Sequence, residues 1–134
     1  MPHLHKALSL AEISMRLSLK HDIFLNIILP VLVGSCLYFM SSNIDLTGFL
    51  RNQLPDGLWA YGLCSGLLII WNRKINIIWI SVIYIIFILF EALQHFHVIS
   101  GTGDWFDIII YFSFSTISLL TNKFYFINKQ ILFH

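Results

Sequence analysis

The sequence predicts an all-α polytopic membrane protein: a four-transmembrane-helix bundle with an N-terminal amphipathic helix. Three observations carry this expectation. Hydrophobic residues make up 57% of the 134-residue chain, and the mean hydropathy is +0.79. Charged residues supply only 11%, against roughly 25% in soluble globular domains. The apolar residues are also gathered into four runs, separated by short segments that hold most of the charge. The length suits one bundle and leaves no space for a separate catalytic domain. With a net charge of +1 and no Lys/Arg stripe interleaved with aromatics, no nucleic-acid partner is expected.

Residues 1–21 read as a cytoplasmic amphipathic segment. Ser9-x-x-Glu12 has the form of a capping box. Glu12, Arg16 and Lys20 then fall on one helix face at i, i+4 spacing, with Leu8, Ala11, Met15 and Leu19 on the other. Such a helix is expected to lie along the inner membrane surface. Val33-Gly-Ser-Cys36 faintly resembles a lipoprotein processing site, but the leader would be long and cleavage would discard the first span.

The bundle is expected over residues 22–122, followed by a cytoplasmic tail over 123–134. Residues 23–40 contain no charge, and residues 75–90 continue helically to about 93. At roughly 1.5 Å per residue, each approaches the roughly 30 Å hydrocarbon thickness. The runs 57–71 and 105–120 are shorter, but Asn72, Thr121 and Asn122 suit the headgroup zone, and Trp59, Trp71 and Trp105 mark interfaces. A closed barrel would need apolar/polar alternation, which these runs lack. Asn26, four residues before Pro30, is placed to relieve a proline kink. Gly62-x-x-x-Gly66 would let a neighbouring helix approach closely. Cys36 and Cys64 fall inside spans and read as packing residues.

Orientation follows from the basic residues. Lys6, Arg16, Lys20, Arg73, Lys74, Lys123 and Lys129 lie on one side and only Arg51 on the other, seven of eight, which predicts both termini in the cytoplasm. Asp45, Asp56, Glu91, Asp104 and Asp107, five of the seven carboxylates, then gather at the extracytoplasmic end.

That end holds the candidate ligand-binding residues: Asp56, Glu91, Gln94, His95, Asp104, Asp107 and Tyr111. Ionisable groups beside hydrocarbon are costly to keep, which makes them functional candidates. Glu91, Gln94 and His95 stand at i, i+3 and i+4 and can point into one cleft. Asp107, Tyr111, Ser115, Ser118 and Asn122 form a polar stripe that should face protein or water. Plainer readings stand beside these. Asp56 and Asp104 each open a returning span, where the helix dipole favours a carboxylate. Glu91 and Gln94 can form an interhelical hydrogen-bonded clasp. A metal set of Glu91, His95 and Asp104 or Asp107 is conceivable on ligand chemistry, but no second tightly spaced ligand pair supports it, and no metal or cofactor is expected. No phosphate-cradling glycine loop, Gly-x-Ser-x-Gly elbow or nucleophile with a base is found.

A span ending in Glu91-x-x-Gln94, a short linker and Asp104-x-x-Asp107 opening the next span resembles the VanZ-like family of small bacterial membrane proteins. Pro55-Asp56 followed by Trp59-Ala60-Tyr61 is similar to that family's earlier acidic motif. The resemblance covers residues 55–120. It departs at Ala60, where many members carry histidine, and at Tyr111 and Phe114, where asparagine and glycine are usual. It implies a four- or five-span protein of the bacterial envelope, sometimes linked to glycopeptide tolerance, with no settled activity.

The leading expectation is a non-enzymatic protein of the bacterial inner membrane whose outward acidic cleft binds a polar or cationic ligand, a lipid headgroup or a partner protein. Membrane lipids, a homo-oligomer or another membrane protein are the expected partners. Two other classes stay open. One is an oligomeric effector or pore with the span-four stripe turned inward; the other is an interfacial enzyme using Glu91 or Asp107 as general base on a lipid-linked substrate.

Overall fold

A computed structural model describes residues 2–45 and 47–132, with side-chain detail at all but positions 2, 14, 15 and 125–132. The described residues are helical throughout their ordered elements and contain no strand. The order is α1 (Pro2–Ile23), a π turn (Phe24–Ile28), α2 (Leu29–Met40), a second π turn (Phe49–Gln53), α3 (Leu54–Ile70), α4 (Ile77–His95) and α5 (Trp105–Leu132).

The expected boundary between a surface helix and a first span is not there. No glycine or proline separates Lys20 from Phe24, Ile23 keeps helical φ and ψ of −59° and −44°, and one continuous helical rod of 38 residues, apolar over an 18-residue stretch, runs through His3–Met40. Because α1 begins at Pro2, Ser9 lies inside it and Ser9-x-x-Glu12 caps nothing. The Glu12–Arg16 pair does form, at 2.9 Å, on an exposed face. Met15, assigned above to the opposite face, lies outside the described side chains; Leu8 and Leu19 are exposed.

Both π turns stand immediately before a Leu-Pro pair, and the underlying sequence repeats as Phe-Leu-x-x-x-Leu-Pro at 24–30 and 49–55. Leu29 N–H is bonded to Phe24 O and Leu54 N–H to Phe49 O. Proline cannot donate to the ladder, and its ring crowds the preceding turn. A single widened turn before it accommodates both problems without ending the helix. Pro30 and Pro55 are both buried.

Helix α3 is the centre of the bundle. Pro55, Gly57, Ala60, Gly62, Cys64 and Ser65 are all buried, so small side chains bring its neighbours close. A Cβ on Gly62 would lie 2.8 Å from Val31 Cγ2, and one on Gly66 would lie 3.5 Å from Ile27 Cδ1. The Gly62-x-x-x-Gly66 face therefore receives the antiparallel first rod. On the other side α5 runs parallel to α3, with the ring of Phe114 seated over Gly57: a Cβ there would come within 2.5 Å of Phe114 Cδ2.

Helix α4 sits at the edge, packed on α5 through Tyr84–Phe112 and Phe87–Tyr111 ring contacts at 4.4 and 5.0 Å. Asn76 caps its start by accepting from Ile78 N–H at 3.0 Å. Ala60, Ile83 and Phe87 form the small apolar core, bordered by Leu67, Trp71, Tyr84 and Tyr111. Helix α5 passes the expected tail boundary at 122 and continues to Leu132, since no breaker follows Asn122. The Lys129 side chain and residues 133–134 lie outside the described residues.

By length and composition, two helices can cross a membrane: His3–Met40 and Ile77–His95. Few of their residues are buried, and Ile77, Ile78 and Ile85 are exposed by 78%, 71% and 61%. A core helix of a soluble protein would be mostly covered, and apolar exposure on this scale marks a surface that meets lipid or another chain.

Candidate functional site

Helices α3 and α5 begin, and α4 ends, at the same end of the bundle, and this register gathers the carboxylates. Asp56 follows buried Pro55, Asp107 lies in the first turn of α5, and Glu91 lies one turn before the end of α4. The connecting loop is drawn tightly over the α4 terminus. His97 turns the chain at φ 57°, with Val98 N–H bonded to Leu93 O at 2.9 Å. A Cβ on Gly103 would fall 2.4 Å from the His95 backbone nitrogen, so only glycine lets the loop pass there.

Glu91 is 3% exposed; no donor meets its carboxylate oxygens with full hydrogen-bond geometry, though the Tyr111 hydroxyl lies near enough to interact with them. Asp107 is 9% exposed, and its Oδ1 has no hydrogen-bond partner. Asp56, Glu91 and Asp107 lie near enough to repel one another, with Asp104 adding to the field at Asp107. Tyr111, one turn further along α5, is half-buried in the field of the same three carboxylates. Its ring stacks on Phe87. Glu91, His95, Gly103, Asp104 and Trp105 line a narrow crevice at this end.

Not every expected residue joins the cleft in the same way. Asp104 is exposed, and its Oδ1 accepts from Phe106 N–H at 3.0 Å, which makes it the cap of α5. Asp56 has no such role, because the π turn continues the helix upstream and Leu54 N–H is already bonded to Phe49 O. Gln94 places its amide beneath Gly101, at a place where a Cβ would meet Nε2 at 2.4 Å. It does not bond Glu91; across the helix interface Glu91 is instead approached by the Tyr111 hydroxyl of α5. The exposed imidazole of His95 rests between Phe96 and Trp105, with ring centroids 5.6 and 5.7 Å away. Among the described residues no group of three or more His, Cys, Asp or Glu side chains could hold a metal ion. The set Glu91, His95, Asp104 and Asp107 is therefore not a metal centre by geometry.

The α5 stripe faces inward, as its spacing predicts. Ser115 and Ser118 are fully buried and Asn122 is 2% exposed. Ser118 Oγ and Ser65 Oγ are 2.7 Å apart, and the Asn122 amide donates to Ser118 O at 2.8 Å and to Ser65 Oγ at 3.4 Å.

At the opposite end a polar network appears that sequence reasoning missed. Arg73 donates to Asn122 Oδ1 at 3.2 Å and forms a buried ion pair with Asp22. Asn26 donates to Asp22 at 2.9 Å and accepts from the Tyr61 hydroxyl at 2.8 Å. Asn26 thus ties the first rod to α3, and the widened turn accommodates Pro30. The available signal was Asp22 itself, a carboxylate at the start of an apolar run on the side where the basic residues gather.

Comparison with known protein families, curated proteins and solved structures finds no match to this chain.

Proposed function

We propose that this is a non-enzymatic, four-span membrane protein whose acidic cleft, at the end where α3 and α5 begin, binds a cationic or polar group. The observation that carries the reading is Glu91: a carboxylate 3% exposed with no cationic partner and only the Tyr111 hydroxyl to approach it, beside a buried Asp107 oxygen without a hydrogen bond. A buried carboxylate without a partner is strongly disfavoured. A cation supplied from outside the chain removes that penalty, which gives the cleft a purpose beyond packing.

Seven of eight Lys and Arg residues on the other side support an outward-facing cleft with both termini in the cytoplasm. A role in the bacterial inner membrane, affecting envelope or glycopeptide susceptibility, rests on the resemblance of Asp56, Glu91-x-x-Gln94 and Asp104-x-x-Asp107 to VanZ-like proteins. The pore reading loses its motivating feature, since Ser115 and Ser118 are buried against α3 of their own chain. The enzyme reading has a carboxylate in Glu91 or Asp107 but no paired nucleophile beside it.

The test is the melting temperature of the purified protein in a series of cations at matched ionic strength. At least one cation is expected to raise it in the wild type and not in Glu91→Gln/Asp107→Asn. Cation-independent melting in the wild type, with a higher melting temperature in the variant, would reject the cleft as a binding site.

A further inference from the structure

The atoms of the acidic cleft narrow its ligand to one chemical class. Three carboxylate oxygens, Glu91 Oε1, Glu91 Oε2 and Asp107 Oδ1, are buried there without a hydrogen bond of full geometry, the Tyr111 hydroxyl being near enough to approach Glu91. Ion pairs among the described residues, Glu12–Arg16 and Asp22–Arg73, lie elsewhere. The neighbouring His95 is exposed and set against Phe96 and Trp105. Among the described residues no basic group pairs with these oxygens.

Several kinds of cation satisfy carboxylates, and they make different demands. A divalent metal needs several ligands converging at roughly 2.0–2.6 Å, and no group of three or more such side chains is arranged for it among the described residues. A quaternary ammonium has no N–H to donate and is held by open aromatic faces. Here the Tyr111 and Phe87 rings face each other, stacked at 5.0 Å with 21° between planes, which leaves Trp105, 66% exposed and tilted against His95, as a single aromatic at the crevice instead of a cage. A guanidinium is a wide planar fork, whereas the crevice is narrow. A primary ammonium is compact and presents three N–H donors at about 2.7–2.9 Å from their acceptors. Its donors suit the Glu91 oxygens that line the crevice and the Asp107 oxygen beside them.

A route to Glu91 also exists. Glu91 lines the crevice together with Asp104, Trp105, His95 and Gly103. Asp104 remains exposed, so an approaching cation meets a solvated carboxylate before the buried one. Gly103 keeps the loop close to the α4 terminus, which holds the crevice narrow.

We propose that the crevice between the end of α4 and the start of α5 is a binding site for a primary ammonium group, received by Glu91 and Asp107. The proposal rests on the acidic-cleft reading and names the ligand class of that site. The ammonium can belong to the headgroup of an aminophospholipid or to a soluble amine, since both present the same three donors.

Calorimetric titration of the full chain in phosphatidylcholine nanodiscs tests it, with ethylammonium, tetramethylammonium and Mg²⁺ chlorides as probes at matched ionic strength. Ethylammonium is expected to bind saturably and tetramethylammonium not at all. Glu91→Gln and Asp107→Asn should each weaken ethylammonium by about ten-fold or more, as loss of a charge-assisted bond implies. Asp45→Asn, in an exposed loop, should leave it unchanged. Circular dichroism checks folding, and either isosteric variant suffices if the other does not fold. Repeating the titration in nanodiscs containing phosphatidylethanolamine separates the sources. Weaker apparent ethylammonium binding there identifies the lipid headgroup, and equal binding identifies a soluble amine. Tetramethylammonium binding as tightly as ethylammonium, or selective Mg²⁺ binding, overturns the ammonium assignment while the cationic cleft stands. No binding of any of the three to folded wild type overturns both.

Discussion

Arg73 reaches across the end of the bundle to pair with Asp22, 51 positions earlier in the chain, from a backbone held at φ 58°. Asn72 before it sits at φ 53°. Two consecutive left-handed residues fold the chain back under α3, and Arg73 N–H bonds to Leu68 O at 2.6 Å. A left-handed conformation costs an ordinary residue about 1–2 kcal/mol, and this turn carries the Asp22 ion pair and the Asn122 hydrogen bond of Arg73. With side chains only 10% and 5% exposed, neither charge can turn to water if its partner is lost.

Arg73→Ala should therefore destabilise the protein by about 3–5 kcal/mol, the usual effect of leaving a buried charge alone. The double replacement Asp22→Leu/Arg73→Met should recover most of that loss. Unfolding in mixed detergent micelles measures both. A double variant no more stable than Arg73→Ala would show that the charges do more than neutralise each other.

Gly57 and Phe114 make a second, steric prediction. A side chain at position 57 meets the ring at 2.5 Å, while at Gly48 nothing lies within 4 Å of an added Cβ. Gly57→Val should cost about 1–3 kcal/mol by overpacking, and Phe114→Leu introduced alongside should reduce the loss. Gly48→Ala should be neutral or slightly stabilising, because it narrows the unfolded ensemble without strain. Thermal melting of the variants is the check.

The Ser65–Ser118 bond separates the single-subunit cleft from a pore. A Ser65→Ala/Ser118→Ala double-mutant cycle should give a coupling near the roughly 0.6 kcal/mol average for interhelical hydrogen bonds in membranes. Ser115→Leu should disturb packing yet leave planar-bilayer conductance at the level of protein-free membranes. Conductance that depends on position 115 would bring the pore reading forward.

Orientation is open to a labelling experiment in a cysteine-free background. Cysteines at Asn43 and Thr102 should react with an impermeant thiol reagent in whole cells, and one at Lys123 only after lysis. Reaction at position 123 in intact cells would reverse the assignment of sides.

Much of the helical pattern was legible in the sequence because it depends on residues within one or two turns. The apolar runs located α2, α3, α4 and α5, and spacings of three and four placed Asp107, Ser115, Ser118 and Asn122 on one buried face. Asp104 as a helix cap followed from the same local chemistry. The Phe-Leu-x-x-x-Leu-Pro repeat was also written there, though its meaning emerged only with the two π turns.

Contacts between helices were another matter. Periodicity says which residues share a face, but the rotation and register of two helices decide which atoms meet. Gln94 stands on the face of Glu91, yet it packs beneath Gly101 while Glu91 turns to the Tyr111 hydroxyl on α5. Asp22 and Arg73 look like unrelated charges until the left-handed turn after α3 swings one to the other. The chain's own residues determined an apolar, all-helical protein with carboxylates near three helix ends. Only tertiary packing decided that Asp22 would receive an internal cation and Glu91 would not, because Arg73 is brought to Asp22 beside Asn122, and among the described residues no basic group pairs with Glu91 near the start of α5.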